Sequence, residues 1–209
     1  MEEYHKIKSL FERDLNTKKT VEGHYRNETF EYLANNEWIF TEKIDGTNIR
    51  VLWDGHKVTF AGRTNNAQIP AELTNRLFEL FGGEANEEIF EQKFGETEVM
   101  LVGEGYGKKI QGRGTLYLDH QDFILFDVKI AGNWQPRESV EDIAKAFGLD
   151  VVPIVLRGTL QEAVDYVKTK PKSKIGTADS EGVVGRPAVE LLTRNGERVI
   201  VKIKVCDFE

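Results

Sequence analysis

The sequence predicts an α+β fold in which antiparallel β-sheet dominates. Strand patterns outnumber helix patterns along the chain, and several neighbouring strand patterns are separated only by the short turns typical of hairpins. Hydrophobic residues make up 40% and charged residues 30% of the 209 residues, which is the balance of a folded chain. A chain of this length can bury a sizeable core as one domain.

The strand patterns are short apolar or alternating runs bounded by turn residues. The Asp54-Gly55 turn between two such runs predicts a β-hairpin. The predicted strands are residues 38–41, 47–53, 57–61, 99–102, 123–130, 151–156 and 199–205, and a further strand begins at Glu181.

Three helices are predicted from residues that start or stop helices. They are residues 70–81, from Pro70 to the Gly82-Gly83 stop, residues 139–147, capped by Ser139, and residues 163–167, which follow a Thr159/Glu162 capping box.

Composition limits the location and the kinds of site. No apolar run approaches the roughly 18 residues of a membrane helix, and the first residues are charged, unlike a signal peptide. We therefore expect a cytoplasmic protein without a membrane partner. The single cysteine, Cys206, cannot form an internal disulfide, and four scattered histidines do not make a Cys/His metal cluster.

The net charge is −7, with 28 Lys and Arg against 35 Asp and Glu. By itself this balance argues against a nucleic-acid partner, because such proteins usually carry basic surfaces. The charge is uneven, however, since residues 157–204 hold ten basic and six acidic residues, a local balance of +4 that leaves −11 elsewhere. Within this segment, the lysine-rich loop at residues 169–174 is the predicted linker of the chain. Nucleic-acid binding focused on one face therefore remains compatible with the sequence.

Lys43 is the first candidate functional residue. It lies between two predicted strands and is followed by Asp45-Gly46, so its ammonium is expected at the end of a sheet. A Lys-x-Asp-Gly pattern should occur by chance in about 4% of chains of this length. The alternative interpretation is a solvent-exposed lysine in an ordinary hairpin turn.

A strand near the end of the chain carries two more lysines. With a two-residue period, Lys202 and Lys204 lie on one face, whereas Val201 and Ile203 lie on the other. Two cations on one face suit a phosphate site, although an ordinary solvated face gives the same pattern.

Two glutamates lie in glycine-rich segments. Glu104 is part of Gly103-Glu104-Gly105-Tyr106-Gly107, and Glu181 begins Glu181-Gly182-Val183-Val184. The Gly103 segment is neither a Walker loop nor a G-x-G-x-x-G fingerprint. A solvated turn glutamate is the alternative for each of them.

In chain order, these residues resemble the signature motifs of the covalent nucleotidyltransferases, a superfamily of DNA ligases, RNA ligases and mRNA-capping enzymes. The segment from Glu42 to Asn48 resembles most closely the nick-sealing RNA ligase 2 family. The matches are Lys43-Ile44-Asp45-Gly46 with motif I, Arg63 with motif Ia, Gly103-Glu104-Gly105-Tyr106-Gly107 with motif III, Phe126-Asp127 with motif IIIa, Glu181-Gly182-Val183-Val184 with motif IV and Lys202-Ile203-Lys204 with motif V.

Two positions bear on the branch of the superfamily. DNA ligases usually carry an arginine where this chain has Asn48, which favours RNA ligases. Asp45 stands where the best-known members of the RNA ligase 2 family have histidine, which leans toward DNA ligases.

The resemblance implies a nucleotidyltransferase domain, the ATP-grasp-like adenylation domain of ligases, with antiparallel and mixed sheets flanked by helices. We expect residues 1–209 to form this single adenylyltransferase domain. Because the chain ends five residues after Lys204, no C-terminal OB-type domain is expected.

The resemblance also implies an ATP-dependent RNA ligase acting in RNA repair, which seals 3′-hydroxyl and 5′-phosphate ends through lysyl-AMP on Lys43 and an adenylylated 5′ end. The cofactors would be ATP and Mg²⁺ or Mn²⁺, with Glu181 near the metal. Glu104 would bind the ribose, Phe126 would stack on adenine and Arg63 would meet phosphate. The residues predicted to bind the nucleotide are Glu42, Asn48, Arg63, Glu104, Phe126, Lys202 and Lys204.

The expected partners are RNA, or DNA, strand ends or nicks. A monomer is expected, and a partner protein could supply further nucleic-acid binding. Lys108, Lys109 and Arg113 form a basic stretch that is either a nucleic-acid contact or a solvated loop. The alternative functions are an ATP-dependent DNA ligase, a GTP-using capping guanylyltransferase and a non-catalytic module that binds nucleotides or RNA ends.

Overall fold

The computed structural model describes residues 2–209, and these residues divide into two compact units. The first unit comprises residues 2–5 and 45–152, and the second comprises residues 6–44 and 153–209. The chain therefore passes between the units after residues 5, 44 and 152. The loop at residues 169–174 lies wholly within the second unit, so the prediction that it is the linker of the chain was wrong.

The described residues form twelve β-strands, five α-helices and two short 3₁₀ helices. The strands are β1 (Lys8–Ser9), β2 (Phe11–Arg13), β3 (Thr20–Tyr25), β4 (Trp38–Glu42), β5 (Thr47–Trp53), β6 (Val58–Gly62), β7 (Val99–Gly107), β8 (Gln121–Ile130), β9 (Asn133–Trp134), β10 (Ile154–Gly158), β11 (Gly182–Pro187) and β12 (Val201–Lys204). The helices are α1 (Glu28–Tyr32), α2 (Ala71–Phe81), α3 (Glu84–Phe94), α4 (Arg137–Phe147) and α5 (Leu160–Lys168), and the 3₁₀ helices are Gly114–Leu116 and Val205–Phe208.

The first unit is built on an antiparallel sheet with strand order β6-β5-β7-β8-β9. Side chains alternate between the faces of each strand. Ile49, Val51 and Leu101 belong to a buried cluster that also contains the apolar faces of α2, α3 and α4. The intervening positions, among them Asn48 and Arg50, therefore lie on the face of the sheet away from these helices.

The second unit contains a mixed sheet with strand order β1-β12-β11-β4-β10, in which β1 runs parallel to β12 and the other neighbours are antiparallel. A separate β2–β3 hairpin accompanies it. Its core joins Phe40, Val183 and Ile203 of the sheet to Leu160 and Val164 of α5. Sheets of both kinds with flanking helices confirm the α+β prediction.

Local signals predicted several elements well. Strand β5 has the predicted bounds, and the hairpin at the Asp54-Gly55 turn is present. The capping box is also confirmed, because the Thr159 side chain accepts from the Glu162 backbone while Glu162 accepts from the Thr159 backbone.

Helix α4 differs from its prediction. It begins at Arg137 with Pro136 in the N-cap position, so the expected cap at Ser139 was wrong. Arg137 donates from Nε to Glu141 Oε1 at 2.6 Å and from Nη1 to Val152 O at 2.9 Å. These contacts stabilise a first turn that begins two residues before Ser139.

Helix α3 was missed by the sequence analysis because its apolar pattern is weak, with Phe90 as its buried residue. Among residues 2–209, no helix combines the length and apolar character needed to span a bilayer. That one adenylyltransferase domain covers the chain stays a prediction.

Candidate active site

Lys43 follows directly after strand β4 in the second unit. Its backbone N–H donates to Gly182 O at 2.9 Å, which continues the pairing of β4 with β11 by one residue. On the other side of β11, Gly182 is aligned with Lys204 of β12. Antiparallel pairing therefore brings Lys43 and Lys204 to the two sides of a glycine.

Gly182 is required at this position for two reasons. Its φ of +148° is a conformation that residues with a side chain rarely adopt, and a Cβ there would lie 2.1 Å from Ile203 O. The absence of a side chain lets β12 approach β11 closely and fixes the direction of the preceding residue, Glu181.

Glu181 joins the two lysines. Its Oε2 lies 2.5 Å from Lys43 Nζ and its Oε1 lies 2.6 Å from Lys204 Nζ. The exposed fractions of the three side chains are 26% for Lys43, 18% for Glu181 and 28% for Lys204. One carboxylate thus holds two partly buried ammonium groups, one on each oxygen.

The electrostatics of this cluster favour the charged forms of Glu181 and Lys204. Burial alone would raise the pKa of the Glu181 carboxyl, but the Lys43 and Lys204 ammonium groups outweigh burial and hold that pKa below its usual range. Burial alone would lower the pKa of Lys204, but its hydrogen bond and charge interaction with Glu181 hold that pKa above its usual range. The carboxylate and the Lys204 ammonium are therefore both charged at neutral pH.

The alternation predicted for β12 is observed. Val201 and Ile203 are buried, whereas Lys202 and Lys204 are half-buried on the opposite face of the strand. The functional interpretation of this strand, two cations on one face, is compatible with binding an anion.

Glu42 precedes Lys43 and lies on the buried side of β4, 3% exposed. Its Oε2 accepts from the Lys174 backbone N–H at 2.8 Å. Its Oε1 is buried and has no hydrogen-bond partner within residues 2–209. An unsatisfied buried carboxylate oxygen is costly, which makes Glu42 a candidate acceptor for a ligand donor.

In the first unit, Asn48 of β5 and Glu104 of β7 are direct cross-strand partners on the face away from the helices. Asn48 Oδ1 is buried and has no hydrogen-bond partner in the described part of the chain, and Glu104 is half-buried. The backbones carrying them approach closely at Gly46, where a Cβ would lie 2.2 Å from Gly105 O. Within the first unit, the turn at Gly46 thus packs directly against Gly105.

Phe126 and Asp127 lie on β8 beside a β-bulge, where Val102 pairs with Asp127 and Gly103 pairs with Leu125. Phe126 is half-buried and meets the Tyr4 ring edge-on, with ring centroids 5.6 Å apart. Asp127 is fully buried, and its Oδ2 accepts from Tyr4 Oη at 3.0 Å. Sequence reasoning missed Tyr4, because nothing in its local pattern points to a strand 123 residues away.

Arg63 is exposed just after β6. The loop that carries it is held by the buried Arg50, which donates from Nε to Gly62 O at 2.7 Å and from Nη2 to Asn65 Oδ1 at 3.0 Å. From the sequence, Arg50 was either a phosphate contact or a charge on the strand surface, and the structure instead buries it. The available signal was a charged residue inside the otherwise apolar run at residues 49–53 of β5.

The nine predicted site residues therefore form groups within each unit. The second unit holds Lys43, Glu181, Lys204, Lys202 and Glu42 on three neighbouring strands, and the first unit holds the Asn48–Glu104 pair, Phe126 and Arg63. Within residues 2–209, no group of three or more His, Cys, Asp or Glu side chains is arranged to hold a metal ion.

The sequence matches the family model described as RNA ligase over residues 36–204, a range that contains all nine predicted site residues. The chain belongs to the RNA ligase family.

Solved structures of an RNA ligase from Naegleria gruberi share the fold. A mutant with ATP and Mn is 20% identical over 86% of this chain and 52% of that chain, with a TM-score of 0.64. The same ligase with PPi is 21% identical over 97% of this chain and 60% of that chain, with a TM-score of 0.65. A mutant with AMP and Mn is 18% identical over 97% of this chain and 60% of that chain, with a TM-score of 0.67. The chain thus spans between half and two thirds of the length of these ligases.

Proposed function

We propose that this member of the RNA ligase family is an ATP-dependent RNA ligase. In the first step, Lys43 Nζ gives up a proton to solvent and attacks the α-phosphorus of ATP. A P–N bond forms, the α–β phosphoanhydride bond breaks and pyrophosphate leaves. An oxygen of a 5′-phosphate then attacks the AMP phosphorus, which forms a phosphoanhydride bond and breaks the P–N bond to Lys43. Finally, a 3′-hydroxyl attacks the adenylylated 5′-phosphate, which forms the phosphodiester, releases AMP and gives up the hydroxyl proton to solvent.

The observation that supports this proposal best is the contact of Glu181 with both Lys43 and Lys204. A solvent-exposed turn lysine would not be expected to share a carboxylate with a second lysine from a distant strand. Glu181 fixes the position of Lys43 Nζ, so that a bound α-phosphate meets an oriented nitrogen. Lys204, with Lys202 on the same strand face, supplies positive charge for the triphosphate and the departing pyrophosphate.

The residues of the second unit also suit a divalent cation. Mg²⁺ commonly binds one or two carboxylates and completes its coordination with phosphate oxygens and water. Glu181 provides one carboxylate beside the cationic strand, and a cation bound there would replace one of its contacts with Lys43 and Lys204. The described residues offer no complete cage. Bound there, Mg²⁺ or Mn²⁺ would neutralise phosphate charge.

Glu42 supports ATP over GTP. Its buried Oε1 lacks a donor, and the exocyclic amine of adenine is a donor. At the corresponding position guanine presents a carbonyl oxygen, which would face the carboxylate with repulsion. A capping guanylyltransferase is therefore the less favoured function.

Four residues of the first unit are also proposed as nucleotide contacts. The Asn48–Glu104 pair carries two acceptors on one sheet face, and we assign Glu104 to the ribose hydroxyls. Phe126 would stack on adenine and Arg63 would bind phosphate. Each of these roles rests on the family motifs together with the placement of the residue within the first unit.

The decisive experiment is incubation with [α-³²P]ATP and Mg²⁺, followed by denaturing electrophoresis. We expect covalent label in the wild type and in Lys145→Ala, a control at a lysine that is 79% exposed. We expect no label in Lys43→Ala and none from [γ-³²P]ATP. Label on Lys43→Ala would contradict the proposal, and ATP binding without an adduct would favour a non-catalytic module.

Substrate choice is tested with nicked duplexes in all four combinations of RNA and DNA strands. Sealing of RNA 3′-hydroxyl to 5′-phosphate ends is expected, whereas sealing restricted to DNA would favour a DNA ligase. Preferential labelling by GTP would favour a capping enzyme.

We further propose a cytoplasmic monomer. Light scattering measures the oligomeric state, and cell fractionation checks the location. Pull-down would reveal a partner that adds nucleic-acid binding.

A further inference from the structure

Residues 107–118, which we call the basic loop, carry a net charge opposite in sign to that of the first unit. This unit contains 11 Lys and Arg against 20 Asp and Glu, a net charge of −9. The basic loop contains Lys108, Lys109 and Arg113 and has no acidic residue. A segment of +3 within so acidic a unit is the strongest local departure from its overall charge.

The basic loop is held in place by hydrogen bonds between its backbone and the residues that follow it, and by its buried side chains. Lys108 N donates to His120 O at 3.0 Å, and Gln121 Nε2 donates to Lys108 O at 2.9 Å. Ile110 and Tyr117 are each 4% exposed and anchor the loop. Binding a ligand would therefore cost little ordering of the backbone.

The same loop contacts the turn of motif I. Gln111 Nε2 donates to Gly46 O at 2.9 Å, and the Asp45 backbone N–H donates to Tyr117 Oη at 3.4 Å. The basic loop is therefore hydrogen-bonded to the Asp45-Gly46 turn, which begins two residues after Lys43 in sequence. A strand bound along this loop would lie next to that turn.

The three cations are available to a ligand. Lys108, Lys109 and Arg113 are exposed, and no carboxylate within residues 2–209 forms an ion pair with them within 4 Å. Asp119, just after the loop, interacts with the charge of Lys108 at longer range. Lysine and arginine side chains of this kind bind phosphate oxygens without reading base sequence. Their charge suits a polyanion, whereas the acidic remainder of the unit would repel one.

We propose that the basic loop binds the phosphodiester backbone of the polynucleotide whose ends are joined. This inference rests on the proposed ligase function and adds a strand-binding surface outside the nine site residues. The loop contributes affinity for the strand, and it takes no part in the reaction of Lys43 with ATP.

The test compares the triple variant K108A/K109A/R113A with the wild type. Equilibrium binding of a fluorescent nicked RNA duplex is measured between 50 and 200 mM KCl, and a nicked DNA duplex is run in parallel. We expect affinity to fall at least tenfold and the slope of log K against log salt to become shallower by about 2–3, one counterion for each lost phosphate contact. Labelling by [α-³²P]ATP should remain at the wild-type level.

Two matched variants make the outcome decisive. K57A/K93A/K145A removes three exposed cations from the same unit and should retain wild-type RNA binding. K108R/K109R/R113K keeps the charges of the loop and should also bind as the wild type does. Unchanged affinity and salt slope in the alanine variant would overturn the proposal, as would equal loss in the charge-conserving variant.

The proposed function can fail separately. If the wild type forms no adduct and seals no nick, the ligase proposal fails whatever the loop binds. If the wild type seals nicks and the alanine variant binds and seals equally well, only the strand-binding inference is overturned. Equal weakening for RNA and DNA would show recognition of the shared phosphodiester backbone, as proposed.

Discussion

The Lys43 ammonium and the Glu181 carboxylate are 138 residues apart in sequence, yet their Nζ and Oε2 atoms lie 2.5 Å apart. The contact requires β4 and β11 to pair in one register, with Lys43 N bonded to Gly182 O. A one-residue slip would reverse the face of every side chain on the strand. The ion pair is therefore a direct consequence of sheet register.

Glu181→Gln should lower formation of lysyl-AMP by about 10²-fold or more, because the amide keeps the shape but loses the charge that orients two lysines. The rate of labelling by [α-³²P]ATP measures the effect. Glu197→Gln, at a glutamate that is 67% exposed, is the control and should label normally. Normal labelling of Glu181→Gln would remove Glu181 from the proposed mechanism.

Gly182→Ala should destabilise the protein by about 2 kcal/mol or more, because the new Cβ would lie 2.1 Å from Ile203 O in addition to straining the backbone. The free energy of unfolding in urea measures this loss. Gly196→Ala, at φ +78° with nothing within 4 Å of the added Cβ, isolates backbone strain. Equal losses in the two variants would show that the contact between β11 and β12 relaxes freely.

Tyr106 should make the protein sensitive to alkali. Burial, with smaller effects from the Asp122 and Asp150 carboxylates, raises the pKa of Tyr106 to about 12. A raised pKa contributes stability below the unfolded value near 10, and that contribution is lost as pH rises toward 12. The loss approaches about 2–3 kcal/mol, given about 1.4 kcal/mol for each pH unit.

Tyr106→Phe removes this titration. The difference in unfolding free energy between the wild type and the variant should be nearly constant below pH 9. It should then change steadily in favour of the variant between pH 10 and 12. A difference that stays constant through this range would contradict the assignment to Tyr106.

Tyr4→Phe should cost about 1 kcal/mol, because it removes the hydrogen bond from Tyr4 Oη to the buried Asp127 and leaves the ring in place. Urea unfolding measures the change. Tyr32→Phe is the matched control, since Tyr32 is 87% exposed. If both variants unfold alike, the Tyr4–Asp127 contact contributes nothing measurable to stability.

The sequence predicted elements whose signals are local. The Asp54-Gly55 turn and the alternating residues of β5 predict a hairpin because turn geometry and side-chain period act over a few residues. The Thr159/Glu162 capping box succeeded for the same reason. Helix α3 and the start of α4 were missed because tertiary packing and the Arg137 contacts stabilise them.

The sequence by itself determined which residue types stand in which order, from the Lys43 motif to Lys202 and Lys204, and this order is enough to predict the family. The tertiary structure decided which of them touch. Glu181 joins Lys43 to Lys204 because three strands distant in sequence pair in one register. Tyr4 and Arg50 acquire their partners in the same way. Such contacts depend on burial of two cores and on strand pairing over long separations, which no local pattern encodes.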